Sequence, residues 1–260
     1  MRIGFIQTAP VFGDKEVNFH QVNQLSGGLK ADLLVLPELF ATGYAFTSTE
    51  EAARLSEPAD GPTAGFLKQL STDTGAVIVA GFAENEAGRI FNSSLIVYDG
   101  RVIGTYRKLH LFNREKLWFT PGDKPLEVHE INGMRIGVMI CFDWIFPEVM
   151  RTLALKGAQV IAHPSNLVMP YCQKAMVTRC LENRLFAVTA NRTGREVRGE
   201  DDFLFTGQSQ VTAFNGEVLL SGAIGETAVS IVETDLLKAD NKEINPFNNL
   251  LGDRRAEFYW

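Results

Sequence analysis

Met134 to Pro164 reads MRIGVMICFDWIFPEVMRTLALKGAQVIAHP, and its periodicity decides the fold class. MRIGVMI is an apolar run of strand length that ends on Cys141. Pro147 suits the first turn of a helix, apolar residues follow it at helical spacing, and Gly157 supplies the stop. AQVIAHP then reads as strand again. The same alternation holds upstream, where RIGFIQ (2–7) and LLVLP (33–37) flank a polar, helix-like stretch from Lys15 to Leu25, the spacing of a βαβ unit with a parallel pair. Thr63 to Leu70 and Ala175 to Arg184 are predicted as further helices. Asp99-Gly100, Asn132-Gly133 and Asn215-Gly216 each sit between alternating or apolar runs, and these residue types tolerate the positive φ of type I′ turns, so three antiparallel hairpins are expected. Strand and helix signals alternate without a linker or repeat, which predicts one α/β domain over residues 1–260 with a mixed sheet or sheets.

Composition limits the function classes. A 260-residue chain with 45% hydrophobic residues can bury a sizeable core. Its net charge of −6 and the lack of a basic cluster argue against a nucleic-acid partner, because binding by counterion release needs clustered Lys and Arg. The start, MRIGFIQT, reads as strand rather than leader, and no apolar run approaches the roughly 18 residues of a membrane span. Cys141, Cys172 and Cys180 cannot all pair with one another, and a chain of this size needs no disulfide staples. The expectation is a cytoplasmic protein with free thiols, no membrane partner and a small-molecule substrate. The segment 241–260, NKEINPFNNLLGDRRAEFYW, is polar with isolated aromatics and is expected to dock, at a subunit interface in preference to the body of the chain.

Polar residues at strand ends mark where chemistry can sit, since ligand sites of α/β folds lie beyond the carboxyl ends of the strands. LLVLPE puts Glu38 at one such end, VMIC puts Cys141 at another, and GTYRKLH puts Lys108 where a hairpin strand runs into a loop. Taken singly, each has a plainer reading as loop carboxylate, core thiol or surface lysine. Together they are chemically complete. A thiol needs a base or a nearby cation to become a nucleophile: Glu38 can be the base, and Lys108 can lower the thiol pKa and stabilise an oxyanion. Phe142, on the strand-to-helix turn, offers its N–H as a second oxyanion donor.

These residues resemble the nitrilase, or carbon–nitrogen hydrolase, superfamily. PELF around Glu38, YRKLHLF around Lys108 and GVMICFDWIFPE around Cys141 occur in the family's order, followed by HPSNL (163–167) and CLENR (180–184). The resemblance implies that Cys141 is the nucleophile, Glu38 the general base, Lys108 the oxyanion-stabilising lysine and Glu115, favoured over Glu127 by the family's spacing, a supporting carboxylate, with Phe142 and Asn166 binding substrate. It further implies a four-layer αββα sandwich that dimerises through helices near the site, and hydrolysis of a non-peptide carbon–nitrogen bond through a thioester, with no metal or organic cofactor. Cys-Phe-Asp in place of Cys-Trp-Glu favours an amidase acting on small aliphatic amides over a nitrilase acting on small aliphatic nitriles. Phe142, Trp144, Phe146, Trp118 and Tyr44 could wall a compact pocket.

Two other readings stand beside this one. A Cys–His hydrolase would use His110 or His163 as base, and a catalytically silent binding or scaffold subunit would keep the fold without the chemistry. Cys172 and Cys180 lack zinc-site spacing and fall on a similar helix face, which reads as packing. Arg192, Arg195 and Arg198 lie in a Gly-flanked polar loop and are expected to be solvated, with one of them available to an anionic substrate.

Overall fold

Two parallel trios of strands, buried on both faces, organise the molecule. A computed structural model describes residues 1–259, so Trp260 of the predicted docking segment lies outside the described residues. In chain order the strands are β1 (Arg2–Gln7), β2 (Leu33–Val35), β3 (Val77–Glu86), β4 (Arg89–Tyr98), β5 (Arg101–Arg107), β6 (Val128–Ile131), β7 (Met134–Val138), β8 (Val160–Ser165), β9 (Phe186–Asn191), β10 (Arg195–Arg198), β11 (Asp201–Leu204), β12 (Gln210–Thr212), β13 (Val218–Ser221) and β14 (Ala228–Glu233). One six-stranded sheet runs β14-β1-β2-β3-β4-β5 and the other β13-β12-β9-β8-β7-β6. β1, β2 and β3 are mutually parallel, as are β7, β8 and β9, while the flanking strands pair antiparallel.

The helices are α1 (Lys15–Ser26), α2 (Thr49–Leu55), α3 (Pro62–Thr74), the single turn α4 (Glu115–Trp118), α5 (Pro147–Leu155) and α6 (Cys172–Asn183). Alternation along the strands assigns the layers. Ile3, Phe5, Leu33, Val35, Val77 and Val79 point from the first sheet into a core shared with Ile136, Val138, Val160 and Val188 of the second. Ile6, Leu34, Ile78 and Ala80 point the other way, onto Phe19 and Val22 of α1 and Leu67 and Leu70 of α3. Val149 and Leu153 of α5 and Met176 and Cys180 of α6 cover the outer face of the second sheet. The order is helices, sheet, sheet, helices, which is the expected αββα sandwich. Among the described residues no helix is long and apolar enough to cross a membrane.

The three expected hairpins are present, with one difference. Asp99-Gly100 and Asn132-Gly133 have both residues at positive φ, as a type I′ turn requires. At Asn215-Gly216 only the glycine does; Gly216 N–H bonds Ala213 O and Ala213 N–H bonds Glu217 O, a longer connection that leaves a register shift in β12–β13. Helix α6 begins three residues ahead of its predicted start. Cys172, Met176 and Cys180 form its buried side, so the two cysteines pack as expected; all three cysteines are free. The segment after Asn241 forms a small hairpin, Glu243–Asn245 with Asn248–Asn249. It is held to the end of α6 by Lys242 Nζ on the carbonyls of Asn183 (3.0 Å) and Arg184 (2.8 Å), yet Phe247 stays 92% exposed.

Candidate active site

Glu38 is placed by a chain that leaves β2 without leaving β3. Leu36 N–H bonds Val79 O, Gly81 N–H bonds Pro37 O and Phe40 N–H bonds Gly81 O. The approach is so close that a Cβ on Gly81 would lie 2.5 Å from both Glu38 Cα and Leu39 N, which restricts position 81 to glycine. Leu39 turns at φ +49°. Glu38 is thereby aimed inward and fully buried. Its Oε1 accepts from Asn92 Nδ2 and from Lys108 Nζ, both at 2.6 Å, whereas its Oε2 is buried with no hydrogen-bond partner among the described residues.

Lys108 follows β5 and is held at both ends of its peptide: its N–H donates to Asn92 O and its carbonyl accepts from Gly122 N–H, both at 2.8 Å. Its ammonium also donates to Glu115 Oε1 at 2.8 Å. That oxygen takes a further bond from Tyr44 Oη (2.6 Å), and Glu115 Oε2 accepts from Phe112 N–H (3.2 Å). Burial alone would strip the proton from Lys108, but the charges of Glu115 and Glu38 outweigh it and raise its pKa. Burial, assisted by Glu38, pushes Glu115 up to about 7 against the pull of Lys108. The result is a charged lysine clamped between two buried carboxyl groups.

Cys141 follows β7 as the first residue of a 3₁₀ turn, Cys141–Ile145, at φ +43°, a conformation a residue with a Cβ adopts at a cost. Its carbonyl lies 3.0 Å from His163 Nε2. Its thiol, in a residue 5% exposed, feels Glu38, Lys108 and Glu115 and is approached by the backbone N–H of Asn166. Lys108 does lower the thiol pKa as expected, but burial and Glu38 outweigh it, so the thiol is held well above its ordinary value. The thiol is thus held against deprotonation, and the Glu38 oxygen without a partner among the described residues belongs to the charges that act on it.

The four candidate catalytic residues thus come together, although they leave different elements. Both proposed substrate-binding residues line the cleft at Cys141: Phe142 and Asn166 stand there with Trp144, Leu167 and Met169 around a free volume of about 10 Å3, room for about one water. Both polar side-chain atoms of Asn166 are buried without partners among the described residues. Of the expected aromatic wall, Tyr44 and Trp118 line a similar crevice beside Glu115, while Phe146 stacks on His110 (3.6 Å between centroids).

Neither histidine is arranged as a base for the thiol. His163 has its Nδ1 on Thr189 Oγ1 (3.1 Å) and its Nε2 between Cys141 O and Ser165 Oγ, and burial lowers its pKa to about 4. His110 Nδ1 is 2.8 Å from Asp143 Oδ1. The arginine expectation needs correction. Arg192 is buried, paired with Glu196 (2.5 Å) and stacked on Phe205, and Glu196 Oε1 accepts from the N–H groups of Tyr44 and Ala45. The pair anchors the loop that delivers Tyr44. Arg195 and Arg198 lie on β10, paired with Asp202 and Glu51. Sequence reasoning also passed over Asn92, although Asn92-Ser93-Ser94 is a polar run inside the buried middle of β4, a pattern that calls for buried hydrogen-bond partners.

The carbon–nitrogen hydrolase family model matches residues 2–241. A nitrilase of Pyrococcus abyssi is 44% identical, over 100% of this chain and 99% of that protein. An (R)-stereoselective amidase of a Pseudomonas species is 35% identical, over 98% and 92% respectively. The solved structure of a carbon–nitrogen hydrolase from Helicobacter pylori is similar with a TM-score of 0.89 at 26% identity, over 100% of this chain and 96% of that one.

Proposed function

The chain belongs to the carbon–nitrogen hydrolase family, and we propose that it is a cysteine-dependent amidase that releases ammonia from small aliphatic amides. The observation that carries this reading is the buried Glu38 carboxylate beside Cys141, with one oxygen fixed by Lys108 and Asn92 and the other without a partner among the described residues.

As Cys141 Sγ attacks the amide carbonyl, Glu38 Oε2 takes the thiol proton. Lys108 Nζ and the Phe142 N–H hold the oxyanion. Collapse breaks the carbon–nitrogen bond, Glu38 returns the proton to the departing ammonia, and a thioester remains on Cys141. Glu38 then takes a proton from water as the hydroxyl adds to the thioester, and passes it to the leaving thiolate; acid departs and the thiol is restored. Glu115, fixed by Tyr44 and Phe112, keeps Lys108 charged and in place. The narrow cleft favours short substrates, and the unpartnered amide of Asn166 can meet a polar substrate group.

Nitrile hydrolysis is a second reading, supported by the 44% identical relative named a nitrilase. Attack by the same thiolate on a nitrile carbon places the developing charge on nitrogen. An amide presents N–H donors as well as an acceptor and so uses the free oxygen of Glu38, which puts it first. An ammonia-release screen with paired amides and nitriles of the same carbon skeleton tests the ordering: turnover of amides supports it, and turnover of nitriles alone overturns it.

We also take residues 1–260 as one domain, because both sheets contribute to a common core. The exposed Ile145, Leu155, Leu181 and Phe258, near α5, α6 and the C-terminal segment, are read as a subunit contact of a homodimer. Sedimentation velocity checks this, with a monomer at micromolar concentration as the contrary result. Free thiols fit the cytoplasmic location expected from the sequence.

A further inference from the structure

We propose that Asp143 is a positioning residue that locks the Cys141 turn to the strand end carrying Lys108, and so sets the distance between thiol and ammonium. The inference rests on the roles given above to Cys141 and Lys108. Asp143 is fully buried and does not belong to the Glu38–Lys108–Glu115 cluster. Its Oδ2 accepts from Tyr106 Oη (2.7 Å) and Ile140 N–H (2.9 Å). Its Oδ1 accepts from His110 N–H (3.1 Å) and lies 2.8 Å from His110 Nδ1. A carboxylate can only accept, so the proton in that last bond belongs to Nδ1.

The placement of the donors is what gives the arrangement meaning. Ile140 immediately precedes Cys141, while Tyr106 and His110 stand two residues before and two residues after Lys108. Tyr106 lies on β5 of one sheet, and Ile140 follows β7 of the other. One carboxylate therefore spans the sandwich and fixes both reacting neighbours with four bonds. Cys141 sits at φ +43°, so its turn needs outside restraint to stay where it is. An Asn at 143 keeps the shape but replaces one acceptor oxygen with an N–H donor, which then faces donors. The charges that act on the thiol are those of Glu38, Lys108 and Glu115, and loss of a negative charge elsewhere would at most favour the thiolate on Coulomb grounds. Slower chemistry in Asp143→Asn would consequently report lost position and not lost charge.

The test compares Asp143→Asn, Tyr106→Phe and His110→Ala with wild type for kcat, KM, the rate of Cys141 alkylation by iodoacetamide, and thermal unfolding. A misplacement of about 1 Å is worth about 100-fold in rate, so kcat in Asp143→Asn is expected to fall by about 10- to 100-fold with KM within about threefold, and alkylation to slow in parallel. Tyr106→Phe, which removes one donor and is the fallback where Asp143→Asn does not fold, is expected to lose less, and His110→Ala, which keeps its backbone donor, least. A folded Asp143→Asn, or a folded Tyr106→Phe in its place, with wild-type kcat and alkylation overturns the proposal. So does a rise in KM at unchanged kcat, which would make Asp143 a binding residue. Cys141→Ala separates the two levels: if it retains turnover, the assigned nucleophile is wrong; if it is inactive while Asp143→Asn is normal, only the positioning inference fails.

Discussion

Replacing Lys108 with Met removes the one cation that two buried carboxylates share. In the wild type its ammonium lies 2.6 Å from Glu38 Oε1 and 2.8 Å from Glu115 Oε1, and each attraction is about 6 kcal/mol before desolvation at an effective dielectric constant of about 20. Deleting one partner of a buried pair costs about 3–5 kcal/mol, because the charge left behind has no compensation. Glu115 can limit that cost by taking up a proton. Glu115 already stands near 7 with the lysine present, and without that positive charge it must rise further. Carboxylates whose folded pKa lies above the unfolded value stabilise fully below that unfolded value, and the contribution is lost as pH rises through the folded pKa. The deficit of Lys108→Met is therefore expected to be small near pH 5 and to reach its full 3–5 kcal/mol, again about the cost of an uncompensated buried charge, by about pH 8. Urea denaturation across that range measures it. Adding Glu115→Gln removes one stranded charge and should restore much of the stability. It should not restore catalysis: turnover is expected to remain down by at least about 100-fold, the scale for one lost oxyanion donor. Turnover that returned together with stability would refute the oxyanion role and leave Lys108 a structural ion.

Glu38→Gln keeps its bond to Lys108 but cannot accept the thiol proton, so activity should fall by at least about 100-fold, the lower range for a lost general base; retention of most activity would return the base assignment to a histidine. Gly81→Ala drives a Cβ into the Glu38 backbone and should lower stability by about 1–3 kcal/mol together with kcat, whereas an unchanged melting temperature would mean that β3 does not set the Glu38 turn. His163 is buried neutral with its pKa lowered from 6.5 to about 4, so its contribution is full above pH 6.5 and is lost as pH falls towards 4. That is about 3 kcal/mol at 1.36 kcal/mol per unit, and His163→Gln should flatten this part of the stability curve; parallel curves would contradict the burial argument.

Much of this was legible in the sequence because strand ends are legible. Glu38, Lys108 and Cys141 each follow an apolar or alternating run, and a continuous apolar run such as Leu33–Val35 marks a strand buried on both faces. What escaped was contact between distant segments. Arg192 reads as a loop arginine until Glu196 and Phe205 are seen around it, and the Tyr44 hydroxyl reads as pocket wall until Glu115 stands 2.6 Å away. Asp143 looks like a helix-start acid, since nothing local announces that its donors arrive from Tyr106 and His110 more than thirty residues earlier. The type I′ expectation at Asn215-Gly216 failed for a related reason: dipeptide chemistry permits that turn, but its connection closes through Ala213 and Glu217 instead.

In the proposed reaction Cys141 carries the substrate's acyl group. Rapid-quench intact-protein mass spectrometry with a short primary amide, followed by peptide mapping, tests it most directly. A transient adduct equal to the amide less ammonia is expected, confined to the peptide containing Cys141 and lost in Cys141→Ala along with ammonia release. Turnover without that adduct, or turnover that survives Cys141→Ala, would contradict it.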